Sequence, residues 1–427
     1  MSRLVIKNGR VVDPAMHVDR VCDVAIEDGI VREVASDIDA TGADEFDARG
    51  LIVAPGFIDM HVHLREPGFE HAETIESGSR AAAAGGFTSV CCMPNTQPVN
   101  DSATVTNYIH DRALRFAVVN VFPIGAITKN SAGEELAAIA SMKAAGIVGI
   151  SDDGKPVMNA RVARRAMEFA RSLDLPYIEH CEDLNLSAGG DMHEGIESTR
   201  LGLRGIPRSS EDVMVARDLL LAQLTNCRYH VAHLSSKYSV EMVGYAKANG
   251  VNVTAEATPH HFVLADTEMP PYDSNYKMKP PLRDQSDVEA ILNGLADGRI
   301  DAIATDHAPH AGAEKMQEFE RCPFGIIGLE TAIGLALERL YHTGKIALER
   351  LIYLFTEGPA RIVLPERGSL REGAPADVTV LSLEREWNYD VNRSPSKSRN
   401  TPFHGRKFKG GPVATIVAGK FVWRLDD

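Results

Sequence analysis

Eight short apolar runs recur along the middle of this chain, separated by stretches of helical periodicity, and that alternation constrains the fold most. The runs are Ile52–His63, Thr88–Met93, Ala117–Ile124, Ile147–Ser151, Pro176–His180, Tyr229–His233, Val251–Ala255 and Ala302–Thr305. Helical patterns such as Ala160–Leu173, Ser210–Leu224, Ser239–Asn249 and Asp287–Asp297 lie between them, and Leu329–His342 supplies a last helix. A helical crossover returns the chain to the same edge of a sheet, so such strands pair in parallel. Eight units of this kind predict an α/β fold of the (β/α)8 TIM-like barrel type. The other arrangement, an open doubly wound sheet, lacks support because no Gly-rich phosphate turn follows the first strand.

The two ends read differently. Leu4-Val-Ile-Lys-Asn-Gly9, Asp23-Val-Ala-Ile-Glu-Asp-Gly29 and Gly50-Leu-Ile-Val-Ala-Pro-Gly56 are short strands with hairpin-type Asn-Gly and Asp-Gly pairs. Ala376-Asp-Val-Thr-Val-Leu381 and Val413–Trp423 repeat the pattern near the C-terminus. We therefore expect a composite β-sandwich domain from residues 1–56 and 360–427 beside a barrel at 57–359, and 427 residues suffice for both. The polar segment 392–409, with Arg393, Lys397, Arg399, Arg406 and Lys407, reads as a solvated crossing loop.

A formal net charge of -14 argues against nucleic acid or an acidic membrane surface as partner, since both require a basic face. An anionic small molecule would need local positive groups. The six cysteines (Cys22, Cys91, Cys92, Cys181, Cys227, Cys322) form no CxxC pair or disulfide framework, as expected in a reducing compartment. Early charges break up any signal-peptide apolar stretch, and no run approaches the ~20 residues of a membrane span. The expected localisation is cytoplasmic.

Chemistry gathers at the strand ends. His61 and His63 close the first strand two residues apart, so both imidazoles face the same side. The second strand ends in Pro94-Asn95, the fourth in Asp152-Asp153-Gly154, and the fifth in Glu179-His180. The sixth ends in Val231-Ala232-His233 and the eighth in Thr305-Asp306-His307. Barrel active sites lie at these C-terminal ends. Nitrogen and carboxylate donors suit zinc, and four histidines with two carboxylates exceed one tetrahedral site. A metal pair ~3.5–4 Å apart accommodates them. Blander readings stand beside this one. His180 and His233 could be core histidines, Asp153 a turn residue before Gly154, and Asp306 a strand-end cap. His260 and His261 read as structural or supporting, and Lys155, beyond a turn glycine, as solvated.

Seven motifs carry a family resemblance over essentially the full chain. They are Pro55-Gly-Phe-Ile-Asp-Met-His-Val-His-Leu-Arg-Glu-Pro-Gly68, Met93-Pro-Asn-Thr96, Ser151-Asp-Asp-Gly154, Glu179-His-Cys-Glu-Asp183, Val231-Ala-His-Leu-Ser235, Thr305-Asp-His-Ala-Pro-His310 and Pro323-Phe-Gly-Ile-Ile-Gly-Leu-Glu-Thr331. The chain resembles the amidohydrolase superfamily, and within it the bacterial class I dihydroorotases, whose metals are bridged by an aspartate. Hydantoinases, dihydropyrimidinases and allantoinases use a carboxylated lysine on the fourth strand, where this chain offers Asp153.

The resemblance implies that His61 and His63 hold one zinc and His180 and His233 the other, one or two ions per subunit, with Asp153 bridging. Asp306 would contact the first metal and the attacking hydroxide. Arg65, Asn95 and His310 would hold a substrate carboxylate, with Lys279, Pro323, Phe324 and Gly325 completing the substrate-binding set. Residues 311–323 would form a mobile lid. The implied reaction is reversible closure of N-carbamoyl-L-aspartate to L-dihydroorotate, the third step of de novo pyrimidine synthesis. A homodimer and an association with aspartate transcarbamoylase are partners the resemblance admits. One residue departs from the family pattern: Lys279, in Lys277-Met-Lys-Pro-Pro-Leu-Arg283, stands where relatives carry Asn. Its ammonium either reaches solvent or adds charge beside the substrate. Two other functions stay open, another cyclic amidohydrolase or a catalytically silent partner of the transcarbamoylase. The first is opposed by Asp153 and the carboxylate-binding trio, the second by a complete ligand set.

Overall fold

Two parallel ladders form the middle of the computed structural model, which describes residues 3–425. Residues 1–2 and 426–427, assigned above to the composite domain, lie outside the described residues. One ladder joins Phe57–Val62, Phe87–Cys92 and Asn120–Pro123. The other joins Tyr177–Glu179, Tyr229–Val231, Val253–Ala257 and Ala302–Ile303. Parallel bridges connect the two: Gly125 to Ile150, Ile150 to Tyr177, and Val62 to His307. Helices Ile75–Ala84, Ala103–Phe116, Ala160–Ser172, Ser209–Thr225, Lys237–Ala248 and Gln285–Asp297 alternate with these segments.

Local signals set the helix starts. Asn159 Oδ1 accepts from the backbone N–H groups of Arg161 and Val162 at 3.0 and 3.4 Å. Asp284 Oδ1 does the same for Ser286 and Asp287 at 2.8 and 3.3 Å. Such caps satisfy donors that a helix cannot satisfy itself.

Three of the expected strands and helices need correction. The expected strand Ile52–His63 is two strands, Ile52–Pro55 and Phe57–Val62, parted at Gly56. A Cβ at Gly56 would sit 2.1 Å from Thr88 Oγ1 and 2.8 Å from Asp377 Cβ, so only glycine fits where the chain passes between units. The expected strand Ile147–Ser151 pairs regularly at Ile150 alone. It is still bonded on both sides, Ser151 N to Gly125 O and Ile178 N to Ile150 O, each at 2.9 Å. Regular pairing stops there because Asp152 turns aside to accept the Ile127 and Thr128 N–H groups at 2.8 and 3.1 Å. The expected helix Leu329–His342 begins only at Ala332 and continues past Ala336 as a π-type turn, Leu337–Tyr341.

The two termini meet in one eight-stranded sheet. Val378–Asn388 runs antiparallel to Ile52–Pro55, which lies parallel to Arg3–Asp13. Ile6, Val24 and Ile26 from one end share a core with Val378, Val380 and Ile416 from the other. The segment 392–409 is solvated on one side only: Arg393, Lys397, Arg399 and Lys407 are exposed, as expected, but the residues between them turn inward. Ser394, Ser396, Ser398, Asn400, Thr401 and Phe403 are buried, and Ser398 Oγ donates to Ala72 O at 2.7 Å. Its polar side chains satisfy carbonyls of the loops they cover, which is why a polar sequence can be interior. All six cysteines are buried and unpaired. Among the described residues, no helix is long and apolar enough to cross a membrane.

Candidate metal centre

Six donors from five segments converge at one end of the ladders. His61 Nε2 lies 3.4 Å from Asp153 Oδ1, and His63 Nε2 lies 3.0 Å from Asp306 Oδ1 and 3.5 Å from Asp153 Oδ2. His180 Nδ1 is 2.9 Å from His233 Nε2, and those atoms lie 3.8 and 3.5 Å from Asp153 Oδ1. Asp153 thus stands within 4 Å of all four imidazoles. It is no ordinary turn residue; its neighbour Asp152 has the backbone-capping job.

All six side chains are buried, and His61 Nε2, Asp153 Oδ1 and His233 Nδ1 have no hydrogen-bond partner. Orphaned buried polar atoms are costly unless something else satisfies them. His61, His63 and Asp306 form one cluster whose donor atoms could share an ion, and His61, Asp153 and His233 form a second. The donor set fits divalent metal. Burial would raise both carboxyls, but the facing histidines hold Asp153 and Asp306 well below the usual carboxylate range. Both are therefore anionic at neutral pH, as ligands must be.

Backbone geometry contributes. Arg65, His233 and Asp306 have φ of 61°, 33° and 47°, in the left-handed region that non-glycine residues avoid. Three such residues in one site show that the surrounding fold holds them there against strain.

Beside the donors lies a cavity of about 380 Å³ lined by His63, Arg65, Asn95, Asp153, His180, His233, Lys279, Asp306, His310, Pro323, Phe324 and Gly325. His61 is fully buried behind it. Asn95 Oδ1 meets His63 Nδ1 at 2.8 Å, leaving the Asn95 amide free to face the cavity. Arg65 Nε donates to Pro309 O at 3.1 Å, and its terminal nitrogen lies 3.4 Å from His310 Nε2. Burial, then Arg65 and Lys315, push His310 down to about 3, so it is neutral at pH 7 and donates from Nε2 to Phe324 O at 2.8 Å. Lys155 is exposed, and it rims an adjoining lobe of about 340 Å³.

Lys279 lines the cavity with an acidic partner that its sequence position did not announce. Its side chain is 27% exposed, and its ammonium pairs with Glu182 Oε1 at 2.9 Å. Glu182 Oε2 in turn meets His180 Nε2 at 3.0 Å. Burial would raise Glu182, but His180 and Lys279 hold it down to about 2. The segment expected as a mobile lid, 311–323, is clasped. Lys315 is buried and donates to Pro323 O and Gly325 O at 2.9 and 3.1 Å, and Lys277 Nζ reaches Phe319 O at 2.5 Å. His261 is structural, held by Thr258 Oγ1 at 2.7 Å and Pro280 O at 2.9 Å.

The chain is 70% identical to a dihydroorotase of Solibacter usitatus over 98% of each chain, and 53% identical to one of Pelotomaculum thermopropionicum over 98% of each. The chain belongs to the dihydroorotase family. A family profile described as Dihydro-orotase-like matches residues 50–239, which include the first four histidine and aspartate donors in the chain and His233. The fold is also that of an L-hydantoinase from Arthrobacter aurescens, with a TM-score of 0.89 at 25% identity over 99% of this chain and 96% of that one. A dihydropyrimidinase from Brevibacillus agri aligns with a TM-score of 0.85 at 23% identity, covering 99% and 95%.

Several supporting residues in this dihydroorotase-family chain escaped sequence reading. Asn400 donates to Ala308 O and Gly325 O at 2.9 and 3.0 Å and accepts from His310 N at 3.2 Å, so the segment 392–409 braces the cavity wall. Asp59 accepts from His61 N and Thr305 N, each at 3.1 Å, tying the first strand to the eighth. Glu256 meets His61 Nδ1 at 2.7 Å. The available signal was a charged residue inside an apolar strand, as in Val253-Thr-Ala-Glu-Ala257.

Proposed function

We propose that this chain is a dihydroorotase: it reversibly hydrolyses the ring amide of L-dihydroorotate to N-carbamoyl-L-aspartate on a centre of one or two zinc ions. The observation that carries this reading is the Asp153-centred donor cluster opening onto a cavity lined by Arg65, Asn95 and His310. Family membership supports it. We read the ring of ladders and bridges as a (β/α)8 barrel at 57–359, and the terminal sheet as a composite β-sandwich from 1–56 and 360–427.

His61 and His63 would hold one ion and His180 and His233 the other, with Asp153 between them and Asp306 against the first. When bound, such ions polarise a carbonyl and lower the pKa of water toward neutrality. The protein does the rest. Arg65 offers a planar fork of donors to the substrate carboxylate, and the Asn95 amide adds another. His310, neutral and with its Nε2–H given to Phe324 O, lines the wall beside Arg65 without a competing charge. Asp306, anionic at rest, accepts the attacking water's proton and returns it to the departing ring nitrogen. In the reverse direction the same groups close the ring. A hydantoinase-type activity is disfavoured by the aspartate at 153 and by a cavity built for an anion.

Arg65→Ala tests the substrate class. Losing a charged hydrogen bond to dihydroorotate is expected to cost about 1.5–3 kcal/mol in kcat/KM. A neutral dihydrouracil ring should lose much less. Equal losses on both substrates would make Arg65 structural and remove the anionic-substrate reading.

Lys279 gives a second test. Its charge offsets Glu182 beside a cavity for an anion, so Lys279→Asn should raise KM for dihydroorotate by roughly 1 kcal/mol through that unpaired carboxylate. The rise should shrink at high salt. In a double-mutant cycle, Glu182→Gln should reverse most of it, whereas additive effects would show that the pair does not act on the substrate.

A further inference from the structure

Glu256 is the charged residue of the strand Val253–Ala257, and it is fully buried. Its Oε1 lies 2.7 Å from His61 Nδ1 and 3.3 Å from the backbone N of His233. Its Oε2 lies 3.2 Å from His230 Nε2, and His230 Nδ1 meets Thr254 Oγ1 at 2.8 Å. One carboxylate oxygen therefore touches a residue from each proposed ligand pair, and a buried imidazole backs the other oxygen.

We propose that Glu256 is a positioning residue that sets both ligand pairs of the metal centre at once. This inference rests on the metal-centre reading above. An Nδ1–H of His61 donating to Glu256 leaves the lone pair on Nε2, the atom that faces Asp153 at 3.4 Å and Asp306 at 3.6 Å. The ring is thereby held in the tautomer and orientation that a ligand needs, and the carboxylate raises its basicity. On the other side, the N–H of His233 points at the same oxygen while its φ is 33°. Glu256 thus holds a strained backbone in the turn that aims this imidazole inward. His230 Nε2 stands 3.2 Å from the other oxygen, and Thr254 Oγ1 holds the His230 ring from behind.

Glu256→Gln separates this role from simple filling of space, because the amide keeps the shape and can still accept from Nδ1–H but lacks the charge. With the full chain, zinc alone as ligand and a competing chelator, zinc affinity is expected to fall 10–100-fold. The unfolding midpoint of the metal-free chain should stay close to that of wild type. Zinc affinities within about twofold of wild type would overturn the proposal. If the variant does not fold, nitrogen NMR of the metal-free wild-type chain, at a pH where the His61 ring carries a single proton, decides: that proton on Nδ1 supports it and on Nε2 overturns it. Wild-type protein that takes up no zinc overturns the metal reading together with this inference. Wild type that takes up zinc, with a Glu256→Gln variant that matches its affinity in the chelator competition, overturns this inference alone.

Discussion

Asp306→Asn is expected to keep the fold and much of the zinc while turnover of dihydroorotate falls ~10²-fold or more, the scale of a lost general acid–base group. The substitution is nearly isosteric. Its amide oxygen can still face His63 Nε2, which lies 3.0 Å from Asp306 Oδ1. What disappears is a group able to take a proton and give it back. The surrounding histidines hold Asp306 well below the usual carboxylate range against its burial, so the wild-type residue is in its accepting form at neutral pH. Turnover and zinc content measured on the same preparation separate a lost proton shuttle from a lost metal. A kcat within about threefold of wild type would remove Asp306 from the mechanism.

His180→Ala or His233→Ala is expected to deplete zinc and abolish most activity. These two side chains contribute the nitrogen donors on their side of Asp153, with His180 Nδ1 and His233 Nε2 only 2.9 Å apart. Removing either leaves one imidazole and a shared carboxylate, too few donors for a closed tetrahedral site. Elemental analysis should show zinc falling by about one equivalent in a two-ion centre, on the coordination argument above. Full zinc and full activity in both variants would return these residues to the core. Neither outcome depends on Lys279, whose link to His180 runs through Glu182.

What the sequence by itself determined follows from short-range rules. Period two along a strand put His61 and His63 on one face, and their rings lie 5.5 Å apart. Caps at Asn159 and Asp284 started the helices that the apolar period required. Alternation of strand and helix implied parallel pairing, and the ladders are parallel. The candidate donors were legible because each closes an apolar run, and the motifs around them are specific to a family.

Only the tertiary structure decided how these pieces meet, because contacts between neighbouring strands join residues remote in sequence. No local pattern says that Glu256 will stand against His61, or that Lys279 will pair with Glu182. Nor does a basic, polar sequence reveal that Asn400 will be interior, since its burial depends on the carbonyls of the loops it covers. The break at Gly56 belongs here too: an apolar run reads as one strand until Thr88 and Asp377 approach within a Cβ's reach. The left-handed turns at Arg65, His233 and Asp306 are the same lesson in the backbone. Residues with a Cβ disfavour that conformation locally, and it persists because packing and hydrogen bonds from distant segments hold it.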